Sequence, residues 1–256
     1  MRWSAQQYVA FEDERTRPVR DLLNAVPGDE AEAVLDIGCG PGNSTEVLAA
    51  RFPGAAVTGL DSSADMIAAA RVRLPGFRFE VGSIEAWDEP GPYGVILGNA
   101  VLHWVGDHAR LMPRLVGKLS AGGSLAVQMP DNLEEPSHRL MREVAGAGPW
   151  AAKLAGAVAE RMTVESAGWY YGLLRACCSR VDVWRTTYHH PLAGGADAVV
   201  EWFKGSGLRP FLGRLEADEQ AAFLERYRAG VAVAYPAMAD GVVLLPFPRL
   251  FIVGTR

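Results

Sequence analysis

Apolar residues fall along this chain in two rhythms. Compact apolar runs occupy Ala33–Ile37, Ala56–Leu60, Phe77–Val81, Val95–Gly98 and Ser124–Met129. Runs of that length predict buried strands. Between them apolar residues return every three or four positions: Val19, Leu22, Leu23 and Val26, then Val47, Leu48 and Phe52, then Leu111 to Leu119. That spacing predicts helices. Pro18 is expected to open the first of them, Pro27-Gly28 to end it, and Gly122-Gly123 to stop the helix that starts at Leu111. Beyond Met129 the rhythm changes. Residues 136–178 read as helices and loops carrying Trp150, Trp169, Tyr170 and Tyr171. Val181–Thr187 alternates as a sixth strand and runs into Tyr188, His189 and His190. The stretch 195–238 is helical, broken at Gly205-Ser206-Gly207 and Pro210, and too long for an ordinary connection. It reads as a helical cap over 195–240, inserted before the last strand. Val242–Leu245 and Leu250–Val253 read as strand interrupted by Pro246 and Pro248. Strands alternating with helices predict an α/β protein: one domain over residues 1–256, a doubly wound, mostly parallel seven-stranded sheet with its last strand antiparallel.

The candidate chemistry sits at the first strand. Residues 33–45 read Ala-Val-Leu-Asp-Ile-Gly-Cys-Gly-Pro-Gly-Asn-Ser-Thr. Strand, glycine turn and helix form the nucleotide-binding start of a doubly wound sheet. Gly38, Gly40 and Gly42 let the backbone turn sharply and approach a ligand that a Cβ would block. A tight turn without a ligand is the alternative. A dinucleotide turn spaces its glycines Gly-x-Gly-x-x-Gly and offers N–H groups to a pyrophosphate. Here the spacing is Gly-x-Gly-x-Gly, and Pro41 has no N–H to offer. That suits S-adenosylmethionine (SAM), a cofactor without phosphate.

Further candidates follow at the later strand ends. Asp61 lies 23 positions after Gly38, about the interval at which a carboxylate accepts from both ribose hydroxyls. An acid there can instead cap a helix, a role that Ser62 and Ser63 can also fill. Met66 either lies against adenine or fills core, and Ile84 is placed to pack on the ring. Asn99–Trp104 follows the fourth strand, on the edge where open α/β sheets hold ligands. His103 reads as a proton carrier or as a hydrogen-bonded structural histidine, and Trp104 as a wall of the substrate pocket. His108 is five residues beyond His103 with no acid patterned around them, so no metal site is expected.

Composition narrows the classes. The net charge of −5 argues against a general nucleic-acid binder. Asn99-Ala100-Val101-Leu102 is also not the Asn/Asp-Pro-Pro-aromatic tetrad of amino-methylating nucleic-acid enzymes. No signal pattern opens the chain, and no run approaches the roughly 18 apolar residues of a membrane span. Cys39, Cys177 and Cys178 form no disulfide framework or zinc spacing. A cytoplasmic protein is expected, a monomer by default. Trp3, Tyr8, Phe11 and Arg15 belong to a polar terminus that is either frayed or a flap, residues 1–17, closing over a ligand.

Asp-Ile-Gly-Cys-Gly-Pro-Gly resembles the first motif of class I SAM-dependent methyltransferases, a Rossmann-like fold. Outside that motif stand Asp13-Glu14-Arg15-Thr16-Arg17-Pro18, Val127-Gln128-Met129-Pro130-Asp131-Asn132, Asp182-Val183-Trp184-Arg185-Thr186-Thr187-Tyr188, Gly207-Leu208-Arg209-Pro210 and Phe247-Pro248-Arg249-Leu250-Phe251-Ile252-Val253. On these residues nearly the whole chain resembles the trans-aconitate 2-methyltransferase family, with 145–165 matching less well. The resemblance implies methyl transfer from SAM to one carboxylate of trans-aconitate, giving a monomethyl ester and S-adenosylhomocysteine. It implies cofactor contacts from Gly38, Cys39, Gly40, Asp61, Ser62, Met66, Ser83, Ile84, Asn99 and His103. Two positions depart from the family: Ser83 stands where an acid more often holds the adenine amino group, and His103 where an uncharged polar residue also occurs. Another small carboxylic acid as acceptor, or a SAM-binding sensor without catalysis, are the other readings.

The expected chemistry asks for no catalytic base. A carboxylate is ionised at neutral pH, its ordinary pKa being about 4, and the sulfonium of SAM is already an activated leaving group. The protein supplies alignment and excludes water. A trianion calls for local arginines, which grip carboxylates in a bidentate fork. Residues 180–256 hold nine Lys/Arg against eight Asp/Glu. Arg185, Tyr188 and Arg209 come first as substrate contacts because they sit in family-like motifs. Arg15, Trp104 and His189 complete the expected set.

Overall fold

The structure is a computed structural model that describes residues 12–159 and 164–256. Seven strands form one sheet in the order β3-β2-β1-β4-β5-β7-β6. β1 (Ala33–Ile37) lies between β2 (Ala56–Asp61) and β4 (Tyr93–Asn99). β3 (Arg78–Val81) lies outside β2, and β5 (Leu119–Pro130) outside β4. All four of these pairings are parallel. β6 (Arg180–Ala193) and β7 (Val242–Thr255) complete the sheet. The Asp131 N–H donates to the Pro248 C=O at 2.9 Å and the Arg256 N–H to the Gly123 C=O at 2.9 Å, so β7 runs antiparallel to β5. Chain order reverses between β1 and β4, and such a switch point opens a crevice at the carboxyl ends of the strands.

The helices are α1 (Glu12–Asn24), α2 (Asn43–Arg51), α3 (Ala64–Arg73), α4 (His108–Gly117), α5 (Pro136–Ala147), α6 (Ala151–Ala159), α7 (Ala167–Leu174), α8 (Gly195–Lys204), α9 (Arg209–Leu212) and α10 (Ala217–Ala234). Contacts divide the chain into two compact units. The first takes the described residues up to Pro130, then Val164–Thr186 and Leu250–Arg256. The second takes the described residues of Asp131–Thr163 and Thr187–Arg249. In the first, Leu35, Ile37, Ile96, Leu125 and Val127 of the sheet pack with Leu111, Met112 and Leu115 of α4 and with Tyr170 and Leu174 of α7. Val34 and Asp36 alternate with Leu35 and Ile37 and face the other side, where α2 covers them. Among the described residues no helix is long and apolar enough to cross a membrane.

The second unit has its own apolar centre. Phe223 of α10 stacks on Phe211 of α9 (5.9 Å between rings) and meets Trp150 (5.5 Å). The Ser137 N–H at the start of α5 donates to the Tyr235 hydroxyl at 3.0 Å. A Cβ on Gly230 would come within 2.7 Å of Leu140, so this glycine sets how closely α10 and α5 approach. The helices expected over 195–238 therefore share their core with α5 and α6, and the unit is larger than the cap read from the sequence.

Four element boundaries differ from the sequence pattern. α1 begins at Glu12 and Pro18 lies inside it. α4 ends at Gly117, and Gly122-Gly123 lies inside β5. The register there slips, pairing Tyr93 with Leu119 but Val95 with Ser124, so the glycines mark a bulge. Tyr188, His189 and His190 lie within β6. Finally, β7 is continuous through Pro246 and Pro248. Residues two apart direct their backbone groups to the same side. Pro248 faces Asp131 on that side, just past the end of β5, so the missing N–H groups fall where the ladder is ending.

Candidate active site

The carboxyl ends of β1, β2 and β4 enclose a cleft of about 320 Å³ in the first unit. The glycine turn supplies Gly38, Gly40 and Pro41. The end of β2 and the start of α3 supply Asp61, Ser62 and Met66. Ile84 and Glu85 come from the loop after β3, and Asn99, Ala100, Val101, Trp104 and Val105 from the turn after β4.

The turn needs its glycines for two separate reasons. Gly38, Gly40 and Gly42 have φ of +70°, +55° and +96°, the left-handed region that L side chains resist. Gly38 has a steric reason as well, because a Cβ there would overlap the side chain of Val101. The N–H groups of Gly38 and Cys39 both donate to the Leu60 C=O, at 2.7 and 3.0 Å, which ties the turn to the end of β2.

Asp61 braces the same turn. Its Oδ2 accepts the Gly40 N–H at 2.9 Å and its Oδ1 the Ser63 N–H at 2.8 Å. Ser63 caps α3, its hydroxyl accepting the Met66 N–H at 3.4 Å. The capping role thus falls to serine, as one sequence reading had it, but the carboxylate is not idle. Each of its oxygens keeps a lone pair beyond the backbone bond.

A second acid lies beneath the turn. Asp36 is fully buried, and its Oδ2 accepts the hydroxyls of Ser44 and Thr45, each at 2.7 Å. Its Oδ1 has no hydrogen-bond partner. Burial pushes its carboxyl up to about 7, the two hydroxyl donors pull it back, and the negative charge of Asp61 raises it further. The Cys39 thiol is also pushed well above its usual range, by burial first and then by Asp36 and Asp61.

At the other wall, Gln128 is fully buried at the end of β5, and its side-chain amide donates to the Asn99 carboxamide oxygen. The two residues are register partners across β4 and β5. Ala100 follows with φ +50°, a left-handed conformation for a residue that has a Cβ, and its N–H donates to the Gln128 C=O at 2.9 Å. Leu102–Trp104 forms one 3-10 turn. His108 Nε2 bonds the Leu102 C=O at 2.8 Å and Nδ1 the Tyr170 hydroxyl at 2.8 Å.

Of the ten cofactor candidates, Gly38, Gly40, Asp61, Ser62, Met66, Ile84 and Asn99 line this cleft. Three do not. Cys39 is buried with Ile67, Ala70 and Phe79 behind the turn. Ser83 turns its hydroxyl to accept the Ala86 N–H at 3.2 Å. His103 is buried with its ring against Trp104, 4.8 Å between centroids.

Among the substrate candidates, Trp104 lines the cleft and Arg185 is exposed on β6. Tyr188, His189 and Arg209 belong to the second unit. Tyr188 is buried and His189 exposed, as neighbours on opposite faces of a strand must differ, so these two do not act from one face. Trp3, Tyr8 and Phe11 lie outside the described residues, as does the side chain of Arg15.

Sequence reasoning missed Glu85, Gln128 and Asp36. The signal for Glu85 was its place as the first acid after the third strand. For Asp36 it was an acid inside an otherwise apolar strand. Gln128 gave none beyond its place at a strand end.

A methyltransferase-domain family model matches residues 34–123. Among solved structures, the YcgJ protein of Bacillus subtilis superposes with a TM-score of 0.59 at 13% identity, covering 95% of this chain and 98% of that one. The phosphoethanolamine N-methyltransferase 2 of Haemonchus contortus, solved with phosphomonomethylethanolamine and S-adenosylhomocysteine, superposes with a TM-score of 0.56 at 15% identity, over 93% of this chain and 52% of that one. These likenesses concern the fold. Closer in sequence is the trans-aconitate 2-methyltransferase of Methylobacterium nodulans, 56% identical over 254 residues, 99% of this chain and 98% of that one. A relative from Rhizobium meliloti with the same name is 52% identical over 256 residues. Identity at this level runs end to end through both units, well past the glycine motif, and by it the chain belongs to the trans-aconitate 2-methyltransferase family.

Proposed function

We propose that this protein transfers the methyl group of SAM to a carboxylate of trans-aconitate, releasing the monomethyl ester and S-adenosylhomocysteine. One observation carries the reading: the cleft at the switch point combines a glycine turn with two acids, Asp61 and Glu85, and among the described residues offers no basic side chain. Such a lining repels a pyrophosphate and suits a cofactor that carries a sulfonium. The apolar faces of Met66, Ile84 and Val101 suit its nucleoside. The names of the full-length relatives support the acceptor.

The residues present fit that cofactor. When bound, SAM supplies an electrophilic methyl carbon on an activated leaving group. Gly38 and Gly40 leave room for it, and Asp61 offers its remaining lone pairs to hydroxyl donors. Asn99, its carboxamide oxygen engaged by Gln128, lines the same cleft. Trp104 and Val105 keep water from that wall. The acceptor arrives already ionised, so the chain's own task is to align it and to balance its charge. Arg185, exposed on β6, is our assignment for that balance.

The test is a transfer assay with purified protein and labelled SAM, running trans-aconitate beside cis-aconitate, citrate and isocitrate. Preference for trans-aconitate with equimolar S-adenosylhomocysteine is expected. Equal turnover of all four acceptors would remove the substrate assignment, and SAM binding without turnover would remove catalysis.

A further inference from the structure

Cys177 and Cys178 stand side by side just beyond the end of α7, with their thiols drawn together. Their N–H groups donate to one carbonyl, that of Leu174, at 2.9 and 2.8 Å. The Cys177 thiol reaches back to the same oxygen at 3.4 Å. Both side chains are half-buried against the core cluster that includes Leu174 and Ile252. A Cβ on Gly254 would lie 3.0 Å from the Cys178 sulfur, so β7 leaves that thiol a bare stretch of backbone. The Cys178 thiol is pushed up to about 12, by burial first and then by the charge of Cys177 and a hydrogen bond with it. The two sulfurs are therefore within reach of each other, and solvent reaches both residues. Neither lines the cofactor cleft.

We propose that Cys177 and Cys178 form a dithiol site for trivalent arsenicals, compounds of the class R–As(OH)2, held by both sulfurs at once. The site does not depend on the SAM reading. Trivalent arsenic is a soft centre and favours sulfur ligands over oxygen. Two As–S bonds form and two As–O bonds break, and each hydroxide leaves with a thiol proton as water. Arsenic stays trivalent and nothing is oxidised or reduced. Because the protons leave in water, the reaction does not need a free thiolate, which Cys178 scarcely supplies at neutral pH. A one-site alkylating agent does need one. A disulfide fits the pair less well. Consecutive Cα atoms stand about 3.8 Å apart, short of the roughly 4.4–6.8 Å that a relaxed disulfide spans. An arsenic atom between the sulfurs asks for no S–S bond and lifts that demand. Once one thiol is bonded, the second reacts within the molecule, which raises affinity over a single thiol by about a hundredfold or more.

Native mass spectrometry of the whole, phosphine-reduced protein tests this with phenylarsine oxide as the probe. Wild type should gain one phenylarsenic group and lose two hydrogens. Ethanedithiol should remove the group, and 2-mercaptoethanol at the same concentration should not. Cys177→Ser and Cys178→Ser, each of which keeps Cys39, should weaken binding by about a hundredfold or more. A wild-type urea midpoint shows that a variant folds. If one does not, fragment masses of the wild-type adduct decide, since both Cys177 and Cys178 must carry the arsenic. No adduct on folded wild type, an adduct that forms only in urea, one that maps to Cys39, or undiminished binding by either folded variant would overturn the proposal.

Discussion

Asp61 and Gly40 are joined by a 2.9 Å hydrogen bond from the glycine N–H to Oδ2, so the acid offered to the ligand also holds the turn that makes room for it. Removing it does two things at once. Asp61→Ala should lower S-adenosylhomocysteine affinity by roughly 30- to 100-fold and also lower the unfolding midpoint, since two backbone donors lose a charged acceptor. Asp61→Asn retains one acceptor oxygen and should fall between. Calorimetry paired with urea unfolding separates the roles. A drop in stability with unchanged affinity would confine Asp61 to bracing.

Asp36 predicts a pH dependence of stability. Its carboxyl is raised by burial to about 7 in the folded state, against 3.8 for an ordinary aspartate. Below about pH 4 both states hold the proton and the residue carries no penalty. Between pH 4 and 7 the unfolded chain ionises first, so stability falls as pH rises and levels off above 7. The full span corresponds to about 4 kcal/mol at most. Asp36→Asn keeps an acceptor for Ser44 and Thr45 but cannot titrate. Urea midpoints measured from pH 4.5 to 8 should converge at the acid end and separate in favour of the variant at the alkaline end. Parallel profiles would mean that Asp36 titrates alike in both states.

Gly38 and Val101 touch across the floor of the cleft, which gives a double-mutant test. Gly38→Ala imposes a Cβ at φ +70° and against the Val101 side chain. The backbone part costs about 1–2 kcal/mol, and the overlap adds about 1–3 kcal/mol. Val101→Ala removes the Cγ contacts but leaves the Val101 Cβ, 2.6 Å from the new methyl, so it relieves only part of the overlap. The double variant should therefore be more stable than Gly38→Ala alone yet less stable than Val101→Ala, as measured by urea unfolding. Strict additivity would show that the overlap relaxes at no cost.

The parts of this molecule that the sequence disclosed are those that local chemistry decides. β1 is legible because Ala33–Ile37 is apolar at every position but Asp36 and is buried on both faces. The turn is legible because three glycines at alternate positions all take positive φ. For Glu85 only its place after the third strand was legible; its loop is held by Arg114, 30 residues from Ile84 in the chain. The contact between Asn99 and Gln128 depends on the register of β4 with β5, and a one-residue slip would abolish it. The prolines of β7 misled for a related reason: whether a missing N–H matters depends on what lies beside it. The carboxylate-binding residues stayed open because helices far apart in sequence build the second unit.

His108 offers the last prediction. The Leu102 C=O can only accept, so Nε2 donates to it, while Nδ1 pairs with the Tyr170 hydroxyl. Tyr170 in turn receives the Glu165 N–H at 3.4 Å. Through this one ring, α7 holds the turn that carries Trp104 into the cleft. Tyr170→Phe keeps the packing of a fully buried ring but leaves Nδ1 without its partner. Stability should fall by about 1–3 kcal/mol, the cost of an unsatisfied buried polar group. A loosened Leu102–Trp104 turn should also raise the KM for the acceptor severalfold while the affinity for S-adenosylhomocysteine at the glycine turn changes little. Urea unfolding, initial rates and calorimetry on the same preparation read all three. If stability fell and neither KM nor affinity moved, the turn would be held by its neighbours, and the His108 contact would serve the core alone.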